Sequence, residues 1–513
     1  MKDSSQRRRR SGRAAMHAKR SKPPAIDPAP PGAAGGQYKP LTESQLKQIY
    51  QTSMRMLAES GMGDVPAILR EQALKCGATI NEMDRVCYSQ AMIEDIIAGA
   101  CKSFTFHGRD DKHTIEVGGE SVYFGTGGAA VQTLDLDSHV YRPSTLADLD
   151  GFTRLIDTLP NISWFTRCCI ATDVADTFEL DVNTAYTLMK RTQKPVATAF
   201  SVGEHVDPIV DMFDLLAGGS GKFANEPFCK AHISPIISPM RYGQDAYEVT
   251  RACIRRGVPI SAIIAGMSGA TAPATLDGML AASFAETLAA LVMVNIFSPG
   301  YPMIFSNWPF VIDLRTGGFC GGGGEISILN AAAAQLSNHI GVPSGVASSM
   351  SDAKAVDAQM GMEKALSALA CGLSGANMVY ESAGMMASLL GASHEAFLLD
   401  NEMLSHVHRM IRGIEVSEET LGFESMRAVI SGEGHFIGEP ETMAAMERDY
   451  YYPKLADRLE PTSWAEQGAQ DIWHRANVQA KDLLAKTPPD YIASDIDQKI
   501  RGKFNILTPA ASK

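Results

Sequence analysis

From residue 41 to about 104 apolar residues recur at helical spacing, as in Leu46, Ile49, Tyr50, Met54 and Leu57, so this stretch reads as helical. Thr42 followed three positions later by Gln45 forms a capping-box signature at its start. The period then changes. Phe104–Phe106, Thr114–Val117, Val122–Phe124 and Val131–Leu134 alternate as short strands, punctuated by Gly118-Gly119 and Gly127-Gly128. Beyond them short apolar runs rich in small and β-branched residues alternate with amphipathic stretches. The runs lie near 164–170, 196–202, 228–237, 259–267, 303–310, 345–350 and 378–381. The helical stretches lie at 145–157, 175–191, 205–217, 243–256, 273–297, 324–340 and 356–373. Alternation at this spacing predicts parallel βαβ units, and with Val122–Phe124 as a further strand it predicts eight of them. An open doubly wound sheet is the alternative, but no GxGxxG follows the first strand.

The fold expected is therefore an α/β (β/α)8 TIM barrel with an N-terminal helical and β-hairpin extension and C-terminal helices. Its expected divisions are a basic disordered leader over 1–36, the extension over 37–120, the barrel over 121–385 and a C-terminal helical extension over 386–513. Helices are expected there at 387–415 and 463–486.

Charge separates the leader from the rest. Residues 1–22 hold nine Lys and Arg against Asp3, a net of +8, while the whole chain is −12 and the remainder therefore −20. A basic arm can bind nucleic acid or anionic lipid, but the prolines from Pro23 to Pro31 make it read as a solvated leader. Arg7 to Arg10 are not followed by the apolar stretch an export signal needs. Nine scattered cysteines without a CxxC pair speak against a disulfide framework and a structural zinc site. Glu286 and Asn295 interrupt the most apolar helix. A cytoplasmic location is expected, with no membrane and no nucleic-acid partner; a homo-oligomer stays open.

In a (β/α)8 barrel the active site forms at the C-terminal ends of the strands. That rule selects Asp173, Phe200 and Ser201, His232 to Ser238, Met267 and Ser268, Asn307 to Arg315, Ser349 to Lys354, and Tyr380-Glu381. Trp308, Phe310, Asp313 and Arg315 place aromatics, an acid and a base within one strand and its loop. Gly321 to Gly324 then open a helix, which could cradle an anion or merely turn the chain; no Gly-Lys-Ser/Thr follows to favour a nucleotide. Asp352 and Lys354 stand out in the polar cluster 351–363, whereas Asp357 suits a helix cap. The histidines form no metal triad, and HExxH and Gly-x-Ser-x-Gly are absent, so no metal site, zinc hydrolase or serine hydrolase is expected. No single residue stands out as catalytic.

Four stretches carry a family resemblance: Val122-Tyr-Phe-Gly-Thr-Gly-Gly128, Ala265-Gly-Met-Ser-Gly-Ala-Thr-Ala-Pro273, Ser298-Pro-Gly-Tyr-Pro302, and Ser351-Asp-Ala-Lys-Ala-Val-Asp357 running on to Gln359, Gly361 and Glu363. In them, and diffusely over roughly residues 40 to 500, the chain resembles the trimethylamine methyltransferase family, in particular its members without pyrrolysine. The resemblance implies a (β/α)8 fold and transfer of a methyl group from a small methylated amine to the cobalt of a corrinoid carrier protein. The corrinoid would be supplied by that partner, with no cofactor bound tightly here. Asp111-Lys-His113 is not a carrier motif, since Glu116 stands where a glycine would be needed. A glycine betaine-like quaternary amine is the implied donor. A quaternary nitrogen already carries a neutral leaving amine, so no acid or zinc ion is required to activate it.

Trp308, Phe310 and Phe200 are the candidates for an aromatic wall around such a cation, each also suited to core packing. Asp313, Asp352 or Glu381 could complement it, and Arg315, Lys354 or His232 could anchor a substrate carboxylate. The competing readings are a barrel lyase working through a Schiff base on Lys354, and a non-catalytic barrel that binds methylated amines.

Overall fold

A computed structural model describes residues 27–432 and 434–510. Eight parallel strands follow one another around a ring in chain order: β1 (Tyr123–Phe124), β2 (Phe165–Thr166), β3 (Val196–Thr198), β4 (Cys229–Ile233), β5 (Ile260–Ile264), β6 (Met303–Asn307), β7 (Ser344–Ala347) and β8 (Met378–Tyr380). β8 pairs with β1 through Val379 and Phe124, and a parallel bridge from Gly125 to Trp164 joins β1 to β2 and closes the ring. The expected (β/α)8 barrel is the fold.

Closure depends on one contact. A methyl group on Gly125 would stand 2.2 Å from the Trp164 indole, so only glycine lets the two strands meet there. Trp164 is fully buried and lies edge-on to Tyr380, with ring centroids 4.5 Å apart. These two rings fill the barrel between β1, β2 and β8.

The barrel helices are α1 (Leu146–Asp157), α2 (Thr177–Arg191), α3 (Val206–Leu216), α4 (Gln244–Arg256), α5 (Leu276–Phe297), α6 (Gly324–His339), α7 (Ala358–Leu373) and α8 (His394–Arg412). α5 is apolar on every side because it is buried on every side. One flank lies on β5 and β6, and helices Glu43–Arg55 and Gln90–Gly99 cover the other. It is long and apolar enough to cross a membrane by composition, yet 89% of its most apolar window is buried within the protein.

Three expectations need correction. Residues 394–412 are no C-terminal extension: α8 packs between α7 and α1 and completes the eighth βα unit, so the barrel runs past 385. Its polar composition misled because its polar groups face inward, with Lys364 of α7 and Asp400 of α8 paired at 2.8 Å and both buried. The leader expected over 1–36 is ordered in its described part. Gly32 and Gly35 donate to the carbonyls of Val122 and Glu120, Ala34 bridges to Ser121 and Ala29 is buried. Residues 1–26 lie outside the described residues. The 41–104 stretch is helical only in part, because Asn81 Oδ1 accepts from the amides of Met83 and Arg85 and turns the chain between Thr79–Ile80 and Val86–Cys87. The hairpin Ser103–Phe106 with Ile115–Gly118 forms as expected, and the helix expected at 463–486 is split into Pro461–Glu466 and Ile472–Ala485.

Gly125→Ala should cost about 2–3 kcal/mol of stability, since the indole must move out of a packed ring. Chemical denaturation of wild type and variant measures it; an unchanged midpoint would mean that the Trp164 contact does not control closure.

Candidate active site

Side chains from β2, β4, β6 and β8 converge inside the C-terminal half of the barrel. Tyr380 crosses it and its hydroxyl meets Ser261 Oγ at 2.5 Å, which in turn meets Ser306 Oγ at 3.0 Å. On this floor stands Lys230 of β4, wholly buried, with Nζ 4.8 Å from the Trp164 ring centroid and 4.5 Å from that of Tyr380. Nζ has no hydrogen-bond partner, and burial pushes its pKa down to about 7.

One step up the same strand, His232 lies 5.7 Å from Trp308 and 5.9 Å from Tyr380 between ring centroids. Its Nδ1 has no partner. Burial first, then the positive charges of Lys230 and Arg167, hold it well below the usual histidine range, so the ring is neutral. Arg167, just past β2, makes no side-chain hydrogen bond or ion pair among the described residues, and burial lowers its pKa.

The aromatic wall continues upward. Trp308 is 5.1 Å from Tyr380 and 5.9 Å from Phe310, and Phe310 is 4.9 Å from Phe319. Trp308 Nε1 is buried without a partner, as is the side-chain amide of Asn307. Ser234 and Ala265, immediately past β4 and β5, are exposed, so the mouth is open to solvent on that side. A concentration of unpartnered polar atoms under an open mouth is what a ligand site shows before its ligand is bound.

Glu381 borders this region. Gly127 and Gly128 leave room for its carboxyl, which would lie 2.6 Å and 2.8 Å from methyl groups added at those positions. Oε2 has no partner, and burial raises the pKa to about 8 against the opposing pull of Lys364, so the carboxyl is protonated at neutral pH. Ser349 and Glu381, just past β7 and β8, both hold left-handed backbone with φ 56° and 60°. Such strain concentrates at binding and catalytic sites.

The other sequence candidates divide. Trp308, Phe310 and His232 are brought together. Phe200 is buried at the end of β3 and stacks on none of these rings. Asp313 and Arg315 pair with each other at 2.7 Å in an exposed turn, Arg315 with 89% of its side chain in solvent, so neither reaches the wall. Lys354 is also exposed and donates to the Asp352 carbonyl. Asp352 is spent on structure: it accepts from the amides of Gly321 and Gly322 and from Ser388 Oγ. The glycine loop therefore has those two amides occupied internally. Glu363 accepts from Ser351 Oγ, the Asp352 amide and Gln359 Nε2, and Asp357 caps α7. The polar run 351–363 is thus a web that fixes the rim. Arg167, Lys230 and Trp164 were missed. Lysine within an apolar run, Cys229-Lys-Ala-His-Ile233, was the available signal for Lys230.

The sequence model of the trimethylamine methyltransferase family matches residues 6–505. The chain is 29% identical to a trimethylamine methyltransferase of Desulfitobacterium hafniense over 466 residues, covering 90% of this chain and 92% of that one. A glycine betaine methyltransferase of Desulfitobacterium hafniense is 27% identical, with 91% and 96% covered. A trimethylamine methyltransferase of Methanosarcina thermophila is 30% identical, with 90% and 96% covered. Among solved structures, the monomethylamine methyltransferase of Methanosarcina barkeri superposes with a TM-score of 0.47 at 12% identity, over 89% of this chain and 96% of that one.

The raised Glu381 pKa predicts a pH-dependent stability. Between the unfolded carboxyl value and about 8 the folded state holds the extra proton, so stability falls as pH rises through that window and is level above it. Glu381→Gln should flatten this dependence and exceed wild type by a few kcal/mol at pH 9, as read by urea denaturation at stepped pH; parallel curves for the two proteins would refute the assignment.

Proposed function

Because the chain belongs to the trimethylamine methyltransferase family, we propose that this enzyme moves a methyl group from a quaternary or tertiary amine, glycine betaine-like, to the cobalt of a corrinoid held by a carrier protein. The observation that carries the reading is the aromatic wall Tyr380–Trp308–Phe310 rising beside unpartnered polar atoms toward an open mouth. Aromatic faces attract a methylated ammonium, each by roughly 0.5–2 kcal/mol, without the hydrogen bonds that a quaternary nitrogen cannot make.

The corrinoid, when its carrier docks, supplies the nucleophile that takes the methyl carbon. The remaining work is binding and positioning by this chain. The C–N bond breaks with its electron pair left on nitrogen, so a quaternary donor departs as a neutral tertiary amine. No group need protonate it as the bond breaks, which accords with a neutral His232. Holding the donor with its methyl toward the mouth turns an encounter of two molecules into a positioned displacement. Val202, Ile237 and Leu314, on the loops after β3, β4 and β6, are 38%, 49% and 67% exposed and offer an apolar rim on which a carrier protein can sit.

The lyase alternative put its Schiff base on Lys354, which stands in solvent away from the aromatic wall. A non-catalytic amine-binding barrel would share the wall but transfer nothing.

Mixing the protein with a reduced corrinoid and a panel of quaternary and tertiary amines should give methylated corrinoid, followed by its absorbance, with at least one quaternary donor. Trp308→Ala should lower kcat/KM for that donor about tenfold or more. Tight amine binding without any methylation across the panel would leave the binding-protein reading in its place.

A further inference from the structure

Beyond the barrel the chain forms a small lobe with almost no core of its own. Helices Glu418–Leu421, Phe423–Ser431 and Pro440–Arg448 bury only Val429 among their described residues. Between them runs a groove of about 660 Å³ whose apolar lining, Ile414, Val416, Leu421, Met426, Phe436 and Tyr450, is 41% to 88% exposed. Apolar side chains gathered this closely in solvent mark a surface that something covers. Carboxylates stand among them. Glu415 and Asp449 are engaged by Arg412 and Arg448, whereas the Glu419 and Glu441 carboxylates make no ion pair or hydrogen bond among the described residues. Residues 413–450 hold nine acidic residues against two basic ones, a net of −7. A second copy bringing the same face would set like charge on like charge, so the chemistry calls for a cationic occupant with aliphatic surface.

We propose that the groove is the docking site of this chain's own basic leader, residues 1–26. The leader joins the described chain beside the groove. Arg412 Nη1 donates to the Pro28 carbonyl at 3.3 Å and to the Arg448 carbonyl at 2.5 Å, and its Nη2 meets Glu415 at 3.1 Å. Arg448 and Glu415 both line the groove, so one guanidinium ties the base of the leader to the groove wall. The leader's net charge of +8 answers the −7 of the lobe. Lys22, Arg20 and Lys19 come six to nine residues before Pro28, roughly 20–30 Å of extended chain at most. So short a tether holds them near the groove at an effective concentration in the millimolar range. Long arginine and lysine stems lie along apolar side chains while their heads reach carboxylates, which suits a lining of both kinds. Nucleic acid, a polyanion, is repelled by the lobe and competes only for the leader. Docking therefore covers the apolar groove and withdraws the leader's charge from polyanions. The groove begins where α8 ends, at the end of the barrel opposite the mouth, so the inference stands apart from the methyl-transfer reading.

Trypsin cuts after lysine and arginine, so it reads the accessibility of the leader in the full chain. At low salt the leader should be lost at least about tenfold more slowly than a free peptide of residues 1–26 is cut. In about 0.5 M NaCl, which screens exposed charges, the two rates should converge. Glu419→Lys with Glu441→Lys should remove the protection at low salt, and Glu419→Gln with Glu441→Gln most of it; both positions are exposed, and circular dichroism checks the fold. Carbodiimide joins a lysine amine directly to a carboxylate, and it should link Lys19 or Lys22 to Glu419 or Glu441 within one chain. Mass spectrometry on a mixture of isotope-labelled and unlabelled protein separates such links from those between chains. Links only between chains give the groove to a neighbour's leader and overturn docking within the chain. Cleavage of wild type at the peptide's rate, or protection that the groove variants leave intact, overturns the docking altogether. Protection that arises only when a DNA duplex is added gives the leader to nucleic acid instead.

Discussion

The seating of Trp164 under Gly125 is the contact on which the barrel and its site both depend. It brings β1 within pairing distance of β2, and it places an indole at the bottom of the barrel where Tyr380 and Lys230 rest on it. Strands of two to five residues give little ladder to hold a ring together, so side-chain packing inside must carry much of the closure. The Gly125–Thr–Gly–Gly128 run serves this twice. Its first glycine admits Trp164 and the last two admit the Glu381 carboxyl, so one turn after β1 shapes both the floor and one side of the site.

Two buried lysines show how the protein distinguishes structure from function. Burial brings both Lys194 and Lys230 down to about 7. Lys194 is satisfied, with Nζ donating to the carbonyls of Ile156, Leu159 and Ile162 at 2.8, 2.5 and 2.7 Å, where it closes the end of α1. Lys230 has two ring faces and no acceptor. The same division separates Asp352, Glu363 and Asp400, whose oxygens are taken by amides, hydroxyls and Lys364, from Arg167, His232 and Glu381 Oε2, which are left open. The polar groups Asp352, Glu363 and Asp400 are spent on holding loops and helices together. Those at the strand ends inside the barrel are held in reserve, an arrangement that costs stability and preorganises a site.

Much of this was legible in the chain. The alternation of short apolar runs with amphipathic helices gives the eight units because strand and helix periods differ, and the rule that barrel sites lie past strand ends leads to Trp308, His232 and Glu381. The failures have physical causes. Arg315 and Lys354 stand a few residues too far beyond β6 and β7, where a turn carries them into solvent, and chain distance alone does not reveal a turn. Lys230 was passed over because a lysine inside a strand has no periodic signature. Its role follows from two rings contributed by residues far away in sequence, Trp164 and Tyr380. α8 looked like an appendage because Glu395, Asp400, Glu402 and His408 are polar, yet all four are buried in contacts that no local pattern encodes.

The N-terminal extension has a part in the site although it lies outside the barrel. The loop after β4 leads from His232 through Ile237 to Met240, and it is gripped from two sides. Glu286 of α5 accepts from Ser238 Oγ at 2.6 Å and from the Met240 amide at 2.7 Å. Arg85 donates to the Met240 carbonyl at 2.7 Å, and the Gly63 amide bonds to the same carbonyl. Tyr88 then meets Tyr242 hydroxyl to hydroxyl at 3.0 Å. α5 can carry Glu286 at this depth only because the helices of the extension cover its outer face and exclude water from it. A barrel without that cover would expose an apolar 22-residue helix and release the loop that follows β4. The extension is therefore best understood as the outer wall of the β4 side of the site, and the chain from Gly61 to Tyr88 as the strap that fixes it.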